Sequence, residues 1–247
     1  MTSPLKTFIY SLIASFLSIT VTPAVAHASA CPEPPQDKTA LPIVKIPAVA
    51  QDTLPMAFLI SGDGGWSDFD QAIGKALANK GIPVIGLDAR KYFWNAKTPE
   101  ETTASMVTTI QQYMHEWKKS TFILVGYSYG ACIIPFIATR LTGSIQRSLT
   151  GIYCLSPDIT VDFEIHLVDM VGIRRAGDLF KVPEEMLKIK SFQPFCIFGD
   201  GEDSKLRTRF EASGAKVALV PGNHHYNYKA SVPVGIIVKE VEARLKK

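Results

Sequence analysis

The sequence has few of the features that mark a nucleic-acid-binding, metal-binding or membrane-embedded protein. Its 26 basic and 23 acidic residues nearly balance, so it lacks the electrostatic footprint of a nucleic-acid-binding protein. Its four cysteines show no metal-ligand spacing, and we expect neither a metal nor an organic cofactor. Beyond the N-terminal segment, no apolar run is long enough to span a bilayer. The chain also contains no internal repeat and no low-complexity segment.

Three of the four cysteines lie within apolar runs, where cysteine is typical as a small hydrophobic residue; they are Cys132, Cys154 and Cys196. In an exported protein, four cysteines allow three disulfide pairings, and the sequence does not choose among them. Cys31 would become the first residue of the mature chain after cleavage at Ala30. That resembles a lipoprotein site, but Ala28 stands where such sites prefer leucine, so lipidation at Cys31 is the less favoured interpretation.

Residues 1–30 are typical of a secretory signal peptide. Lys6 supplies a positive start, residues 8–21 are apolar and uncharged, and small residues follow. We therefore predict export to the periplasm with cleavage near Ala28 or Ala30. Residues 31–40 are rich in proline and polar side chains and are predicted to be a linker, which leaves 41–247 as one domain.

Short apolar runs of β type alternate with helical patterns along this domain. We predict strands at Met56–Ser61, Ile82–Leu87, Thr121–Val125, Gly151–Leu155, Phe195–Phe198 and Lys216–Val220. Helical faces follow at Phe69–Leu77, Met106–Trp117, Ala131–Leu141 and from Pro233 onward. This alternation predicts an α/β fold of the α/β-hydrolase type, a mostly parallel sheet with helices on both faces. Residues 158–192 break the rhythm and form either a small cap or an ordinary crossover helix.

The strongest chemical signal lies at Gly126–Gly130, which reads Gly-Tyr-Ser-Tyr-Gly. It matches the G-x-S-x-G nucleophile elbow, where a serine occupies the apex of a sharp turn between a strand and a helix. The residues two before and two after that serine must be small, because a side chain there would collide with the turn. With a predicted strand before it and a helix after it, the motif predicts Ser128 as a nucleophile.

A serine hydroxyl needs a neighbouring base to become a useful nucleophile. His224 and His225 follow the last predicted strand, where an α/β-hydrolase places its base. We predict His224, because the base in this loop usually follows closely on the glycine turn at Gly222. His225 is the alternative base, or else a neighbour that contacts the substrate. His115 lies in a helical stretch and is expected on the surface.

The imidazole in turn needs a carboxylate that fixes its tautomer and stabilises its charged form. The segment Gly199–Asp203 follows a predicted strand and gives the chain order serine, acid, histidine that this fold uses. We predict Asp203, because the acid commonly sits a few residues beyond the glycine. Asp200 in the same segment and Asp158 after the preceding strand remain alternatives.

The oxyanion of an ester-cleaving reaction must be held by backbone N–H groups that are already in place. One donor is expected from Tyr129, the residue after the nucleophile. The second is expected from Asp63 or Gly64, in the segment Ser61–Trp66 that occupies the place of the HGGG-type loop of esterases. That segment lacks the lysine and the spacing of a P-loop, so it does not indicate nucleotide binding.

Taken together, five segments resemble the VirJ/AcvB family of bacterial virulence proteins, within the α/β-hydrolase superfamily. The segments are Leu59–Trp66, Tyr92–Trp94, Gly126–Ala131, Cys196–Gly199 and Gly222–Tyr226. They span nearly all of the mature chain, and its length resembles the shorter of the family's two forms. The histidine loop of the family commonly reads Gly-Gly-His-His-Phe, whereas Asn223 and Tyr226 stand here. Neither change removes the imidazole or a backbone N–H.

The resemblance implies a periplasmic hydrolase that releases the amino acid, lysine or alanine, from aminoacyl-phosphatidylglycerol at the membrane surface. It also implies a link to type IV secretion, with components or substrates of that system as partners. Two other interpretations stay open on the residues alone. One is a non-catalytic binding or chaperone component of a secretion system, and the other is a generic carboxylesterase or thioesterase.

The acyl group of such a lipid carries a free ammonium, and acidic residues surround the predicted pocket. They are Asp63, Asp68, Asp70, Asp158, Asp162 and Glu164. We hypothesise that one or two of them, with Asp63 and Glu164 as first candidates, pair with that ammonium. The alternative for each is a helix cap or a solvated loop acid. Trp66 is a further candidate for substrate contact, with core packing as its alternative.

Overall fold

The computed structural model describes residues 41–49, 53–165 and 179–246. The strands are β1 (Ile43–Ile46), β2 (Met56–Ile60), β3 (Val84–Leu87), β4 (Phe122–Tyr127), β5 (Leu149–Leu155), β6 (Thr160–Val161), β7 (Phe180–Lys181), β8 (Phe195–Gly199) and β9 (Lys216–Val220). The helices are α1 (Asp68–Ala78), α2 (Ala89–Tyr92), α3 (Pro99–Glu116), α4 (Tyr129–Arg140), α5 (Gly143–Ser148), α6 (Val182–Lys188), α7 (Ser204–Ala212) and α8 (Ser231–Leu245). The predicted signal peptide, the linker and Cys31 lie outside the described residues.

Seven of the strands form one sheet in the order β1-β3-β2-β4-β5-β8-β9. Every neighbouring pair is parallel except β1 with β3, which is antiparallel. The prediction of a mostly parallel sheet is therefore confirmed. Since parallel strands point the same way, the segments after β2, β4, β5, β8 and β9 all leave the sheet at one edge, where this fold class binds ligands.

Both faces of the sheet are buried, which explains why its central strands are continuous apolar runs. In β2, Met56, Phe58 and Ile60 face a core that α3, α4, α6 and α7 cover, while Ala57 and Leu59 face the core beneath α1 and α8. This alternation is the two-residue period of a strand. Two separate hydrophobic layers result, and the central sheet is held rigidly between them.

Residues 158–165 and 179–192 are described, whereas the rest of the predicted cap or crossover segment lies outside the described residues. β6 and β7 pair antiparallel in a two-stranded ribbon outside the main sheet. α6 then packs on α4, where the buried carboxylate of Glu185 accepts hydrogen bonds from Arg140 and Thr139. The described part of this region is thus a short ribbon followed by a packed helix.

Several expectations from composition can be compared with the described residues. Cys132, Cys154 and Cys196 are buried free thiols, which confirms that they act as small hydrophobic residues. In residues 41–49, 53–165 and 179–246, no helix has the length and apolar character needed to cross a membrane. The same part of the chain contains no group of three or more histidine, cysteine or acidic residues placed to hold a metal ion.

Candidate active site

Ser128 stands at the apex of a sharp turn between β4 and α4. Its backbone has φ 51° and ψ −113°, a conformation that costs an L-residue free energy and clusters at functional sites. Its N–H donates to the Leu155 carbonyl at 2.8 Å, which ties the turn to β5. A Cβ atom on Gly126 would lie 2.3 Å from the Gly130 carbonyl oxygen, and one on Gly130 would lie 2.2 Å from that of Ile60. Both positions therefore require glycine.

A continuous chain of hydrogen bonds joins Ser128, His224 and Glu202 at the carboxyl edge of the sheet. The Ser128 hydroxyl donates to His224 Nε2 at 2.9 Å, and His224 Nδ1 donates to Glu202 Oε2 at 3.0 Å. The three residues follow β4, β9 and β8 respectively, and these parallel strands, with β5 between β4 and β8, end on the same side of the sheet. A nucleophile, a base and an orienting acid in this geometry can carry out acyl transfer.

Glu202 is more enclosed than His224, since its side chain is 8% exposed while that of His224 is 41% exposed. Burial by itself would raise the pKa of Glu202. Hydrogen bonds from His224, from the Ser156 hydroxyl and from the Gly199 N–H outweigh that effect and lower the pKa below its ordinary value. Glu202 is thus held as a carboxylate, the form that stabilises a charged imidazole.

The prediction of Asp203 as the acid is wrong, because the turn after β8 points Glu202 at the histidine. The Glu202 N–H closes a tight turn onto the Gly199 carbonyl at 3.1 Å, and the longer glutamate side chain then reaches His224. Asp203 instead caps α7 by accepting the Lys205 N–H at 2.9 Å. An aspartate directly before a helix is a recognisable N-cap signal, and that signal separates Asp203 from Glu202 in the sequence.

Neither alternative acid lies against the histidine in the described residues. Asp200 accepts the Gly222 N–H at 2.9 Å and so holds the loop that carries His224. Asp158 accepts the N–H of the following residue, Ile159, at 2.6 Å. Both carboxylates thus fix local backbone.

Two buried hydroxyl groups support Glu202 from behind. Ser156, at the end of β5, donates to Glu202 Oε1 at 2.7 Å and lies 2.7 Å from the Tyr226 hydroxyl. The Tyr226 hydroxyl also lies 2.8 Å from the Ile197 carbonyl. Burial raises the pKa of Tyr226, so its hydroxyl keeps its proton and acts as a donor. Sequence reasoning missed Ser156, whose signal is a small hydroxyl residue at the carboxyl end of a strand.

The loop after β2 forms a tight turn beside the nucleophile. The Gly65 N–H donates to the Gly62 carbonyl at 3.1 Å, which leaves Asp63 and Gly64 exposed at the apex. A Cβ atom on Gly62 would lie 3.7 Å from Ser128 Cβ, so this turn directly adjoins the serine. On the other side, Tyr129 begins α4 and has no intrahelical acceptor for its N–H. The predicted oxyanion donors thus flank Ser128.

Asp70, in the first turn of α1, anchors this loop. Its side chain is buried and accepts hydrogen bonds from the Gly62 N–H at 3.4 Å and from the Ser67 N–H at 3.0 Å. Burial raises its pKa, although these hydrogen bonds oppose the shift. Asp70 is therefore a capping residue that holds the turn and is removed from the candidates for ammonium binding.

His225 does not act on the serine but closes one side of the site. Its Nδ1 is hydrogen-bonded to the hydroxyl of Tyr127, and its ring stacks on Tyr228 with 5.3 Å between centroids. Burial raises the pKa of Tyr127, so that hydroxyl donates and His225 accepts. With its Nδ1 occupied in this way, His225 is a neighbour of the base, and of the two histidines it is His224 that contacts the Ser128 hydroxyl.

The histidine loop continues into three consecutive residues with positive φ. Tyr226, Asn227 and Tyr228 have φ values of 52°, 51° and 57°. Asparagine tolerates the left-handed region, whereas each tyrosine costs about 1–2 kcal/mol there. The turn places the Tyr226 hydroxyl in the core and the Tyr228 ring on His225. The free energy that the positive φ values cost is therefore spent in a segment whose side chains hold the histidine loop in place.

The free energy of unfolding is expected to decrease as the pH is lowered, in part because of His225. Burial, and then the nearby His224, lower the pKa of His225 below its ordinary value of 6.5. As pH falls below 6.5, the unfolded chain binds a proton at this residue before the folded chain does, so unfolding becomes more favourable. Urea unfolding at pH 7.5 and 5.5 should therefore show a smaller loss of stability in His225→Gln than in the parent chain. Equal losses would contradict this assignment.

The remaining predicted substrate contacts, Trp66 and Glu164, are both half-buried. The Trp66 ring packs over Gly86, where a Cβ atom would lie 2.1 Å from the indole, and its Nε1 donates to Gln71 at 2.8 Å. Glu164 lies on the segment that runs beside Phe93, since the Ile165 N–H donates to the Phe93 carbonyl at 2.8 Å. Trp66 thus packs against the core, and its contact with substrate stays a prediction.

Comparison with known proteins agrees with this architecture. A family model described as "Bacterial virulence protein (VirJ)" matches residues 54–245. No curated protein sequence matches the chain significantly. Among solved structures, a proline iminopeptidase from Mycobacterium smegmatis has a TM-score of 0.59 at 12% identity, covering 82% of this chain and 94% of its own.

Two further solved structures have the same arrangement. Est1E from Butyrivibrio proteoclasticus has a TM-score of 0.57 at 12% identity and covers 83% of this chain and 93% of its own. MenH from S. aureus has a TM-score of 0.55 at 12% identity, with coverage of 82% and 98%. At such low identity these likenesses show the fold alone, and that fold is the α/β-hydrolase fold.

Proposed function

Since the chain belongs to the family of bacterial virulence proteins described as VirJ, we propose that it is a serine ester hydrolase acting on the aminoacyl ester of aminoacyl-phosphatidylglycerol. The observation that carries the catalytic part is the hydrogen-bonded sequence from Ser128 through His224 to Glu202. The lipid substrate and a link to type IV secretion rest on the family resemblance. Export to the periplasm rests on residues 1–30 and belongs to the same proposal.

The site supports a two-step acyl transfer. Ser128 Oγ attacks the ester carbonyl carbon while His224 Nε2 takes its proton, and Glu202 stabilises the resulting imidazolium. The N–H of Tyr129 and that of Asp63 or Gly64 stabilise the oxyanion, a contribution of about 10²–10³ in rate for each donor. The C–O bond to the glycerol then breaks, and His224 returns the proton to the leaving oxygen. Water clears the acyl-enzyme, with His224 again acting as the base.

The experiment that tests the function is hydrolysis of purified lysyl- and alanyl-phosphatidylglycerol by the mature protein beside Ser128→Ala. We expect turnover of at least one lipid, and we expect the variant to lose nearly all of it because it lacks the nucleophile. A fluorophosphonate should label the parent chain at Ser128 and leave the variant unlabelled. Labelling without lipid turnover would overturn the substrate and leave a generic esterase. The absence of both labelling and turnover would favour the binding-protein interpretation.

Asp63 is the first candidate partner for the substrate ammonium. Its side chain is exposed on the turn beside Ser128, and Asp63→Asn removes the charge while keeping the backbone N–H. An exposed ion pair contributes little, so we expect about a fivefold loss of kcat/KM for alanyl esters relative to matched esters without an amino group. Glu164→Gln tests the other side of the rim in the same assay.

A matched control for this experiment is Glu211→Gln, which removes an exposed carboxylate from α7. It should leave the preference for amino-bearing acyl groups as it is. If neither Asp63→Asn nor Glu164→Gln changes that preference, the ammonium is recognised elsewhere or not at all.

A further inference from the structure

A concave surface is lined partly by the turn Gly62–Gly65, which we call the oxyanion turn, and takes no part in the steps described so far. It is a cleft of about 540 Å³ between the turn after β2 and the segment after β3. Its walls are formed by Gly64, Gly65, Trp66, Asp88, Arg90, Lys91, Trp94 and Asn95. We refer to these residues as the Arg90 cleft.

The charge of the Arg90 cleft is positive and is concentrated on one side chain. Asp88 is committed to Lys91, whose Nζ lies 3.0 Å from its Oδ2, and it also caps α2 by accepting the Lys91 N–H. Within residues 41–49, 53–165 and 179–246, no carboxylate lies within ion-pair distance of Arg90. Arg90, which is half-buried and has no ion-pair partner among the described residues, therefore lines a cavity that can admit an anion.

The turn that adjoins the nucleophile also forms part of the Arg90 cleft. Gly62 adjoins Ser128, and Gly64, two residues further along, lines the cleft. Two residues span at most about 7 Å, so the cleft begins within that distance of Gly62. A Cβ atom on Gly65 would lie 2.8 Å from Asp88 Oδ1 and 3.2 Å from Arg90 Cβ. The turn is thus packed against the base of Arg90.

We propose that the Arg90 cleft binds a phosphodiester on the leaving-group side of the scissile ester, with Arg90 as its principal cation. This inference rests on the proposed function and identifies which part of the substrate the cleft recognises. In an aminoacyl-phosphatidylglycerol, only a glycerol bridge separates the ester from the phosphate, so the phosphate must lie a few bonds from the carbonyl. Guanidinium matches phosphate oxygens in a bidentate geometry and keeps its charge at every relevant pH.

The neighbouring groups fit the same ligand. The Asn95 side-chain amide can donate to a phosphate oxygen or to a glycerol hydroxyl. Trp94 is 47% exposed at the rim, where its ring offers an apolar surface to the lipid beyond the phosphate. Lys91 adds a cation that Asp88 partly neutralises. The cleft thereby favours an anion attached to an amphipathic group.

The direct test measures inhibition, so that it does not depend on the lipid being a substrate. Glycerophosphoglycerol, inorganic phosphate and glycerol are compared as inhibitors of p-nitrophenyl ester hydrolysis by the mature protein. We expect competitive inhibition by glycerophosphoglycerol, with an inhibition constant about tenfold weaker in Arg90→Gln. Arg147→Gln removes an exposed arginine from α5 and should leave that constant as it is in the parent chain.

A second assay compares Arg90→Gln on alanyl-phosphatidylglycerol and on the nitrophenyl ester. We expect the loss of kcat/KM to be about tenfold larger for the phospholipid and to lie mainly in KM. Equal losses on both esters, or an inhibition constant unaltered by Arg90→Gln, would overturn the assignment. Inhibition by inorganic phosphate as strong as that by glycerophosphoglycerol would make the ligand free phosphate and would also overturn it.

The two proposals can fail separately. If the parent chain leaves aminoacyl-phosphatidylglycerol intact but glycerophosphoglycerol inhibits it through Arg90, the substrate is wrong and the cleft assignment stands. If the lipid is hydrolysed with no contribution from Arg90, the function stands and the cleft assignment falls.

Discussion

Glu202→Gln is expected to lower kcat by about 10⁴ on any ester that the protein hydrolyses. Glu202 Oε1 already accepts hydrogen bonds from Ser156 and from the Gly199 N–H. The amide oxygen of a glutamine must stay with those two donors, which turns its NH₂ group toward His224. That group donates to Nδ1 and forces the proton onto Nε2, the nitrogen that must accept the serine proton. Steady-state kinetics with a nitrophenyl ester measures the effect.

Asp203→Asn is the matched control, because the altered residue is next in sequence and follows the same strand. Asparagine caps helices about as well as aspartate, so kcat and the free energy of unfolding should both stay close to those of the parent chain. A large loss of kcat in Asp203→Asn together with a small loss in Glu202→Gln would reverse the assignment of the acid.

Gly126→Ala is expected to cost about 3 kcal/mol of folding free energy and to abolish turnover. The added methyl group would lie 2.3 Å from the Gly130 carbonyl oxygen and 2.5 Å from the Ala131 nitrogen. These are backbone atoms, so no rotamer change relieves the collision, and the turn that carries Ser128 must open. Chemical denaturation and fluorophosphonate labelling measure the two consequences.

Gly235→Ala provides a control in which the change in stability should have the opposite sign. Gly235 lies exposed inside α8, and a Cβ atom there would meet no heavy atom within 4 Å. Alanine in a helix interior is favoured over glycine by about 0.5–1 kcal/mol, so this variant should be slightly more stable than the parent chain. A comparable loss of stability in both variants would show that the elbow glycine has no special steric role.

The central strands were predictable because each is buried on both faces and so appears as an uninterrupted apolar run. The predicted runs at 56–61 and 195–198 match β2 and β8 to within one residue. β1 escaped prediction for the opposite reason. It is a four-residue strand at the sheet edge with only Ile46 buried, and a short segment with one covered position carries no periodic signal.

The site was predictable where a side chain is fixed by a local motif. Ser128 follows from its flanking glycines, and His224 from its place after the last strand. Which residue is the acid depends on the direction in which the turn after β8 points two adjacent carboxylates. Spacing in the sequence alone does not specify that direction. Ser156 and Tyr226 reach Glu202 from other strands, so their contribution exists only in the tertiary structure.

The left-handed run from Tyr226 to Tyr228 bears on how this protein would respond to selection for heat resistance. Glycine at Tyr228 would relieve the backbone strain, but it would also remove the ring that stacks on His225. Replacing Tyr226 with glycine would instead remove the hydroxyl beside Ser156. The obvious stabilising changes in this loop thus act on the histidine segment itself. Thermal tolerance is therefore more readily gained on α7 and α8, whose exposed faces carry none of the catalytic groups.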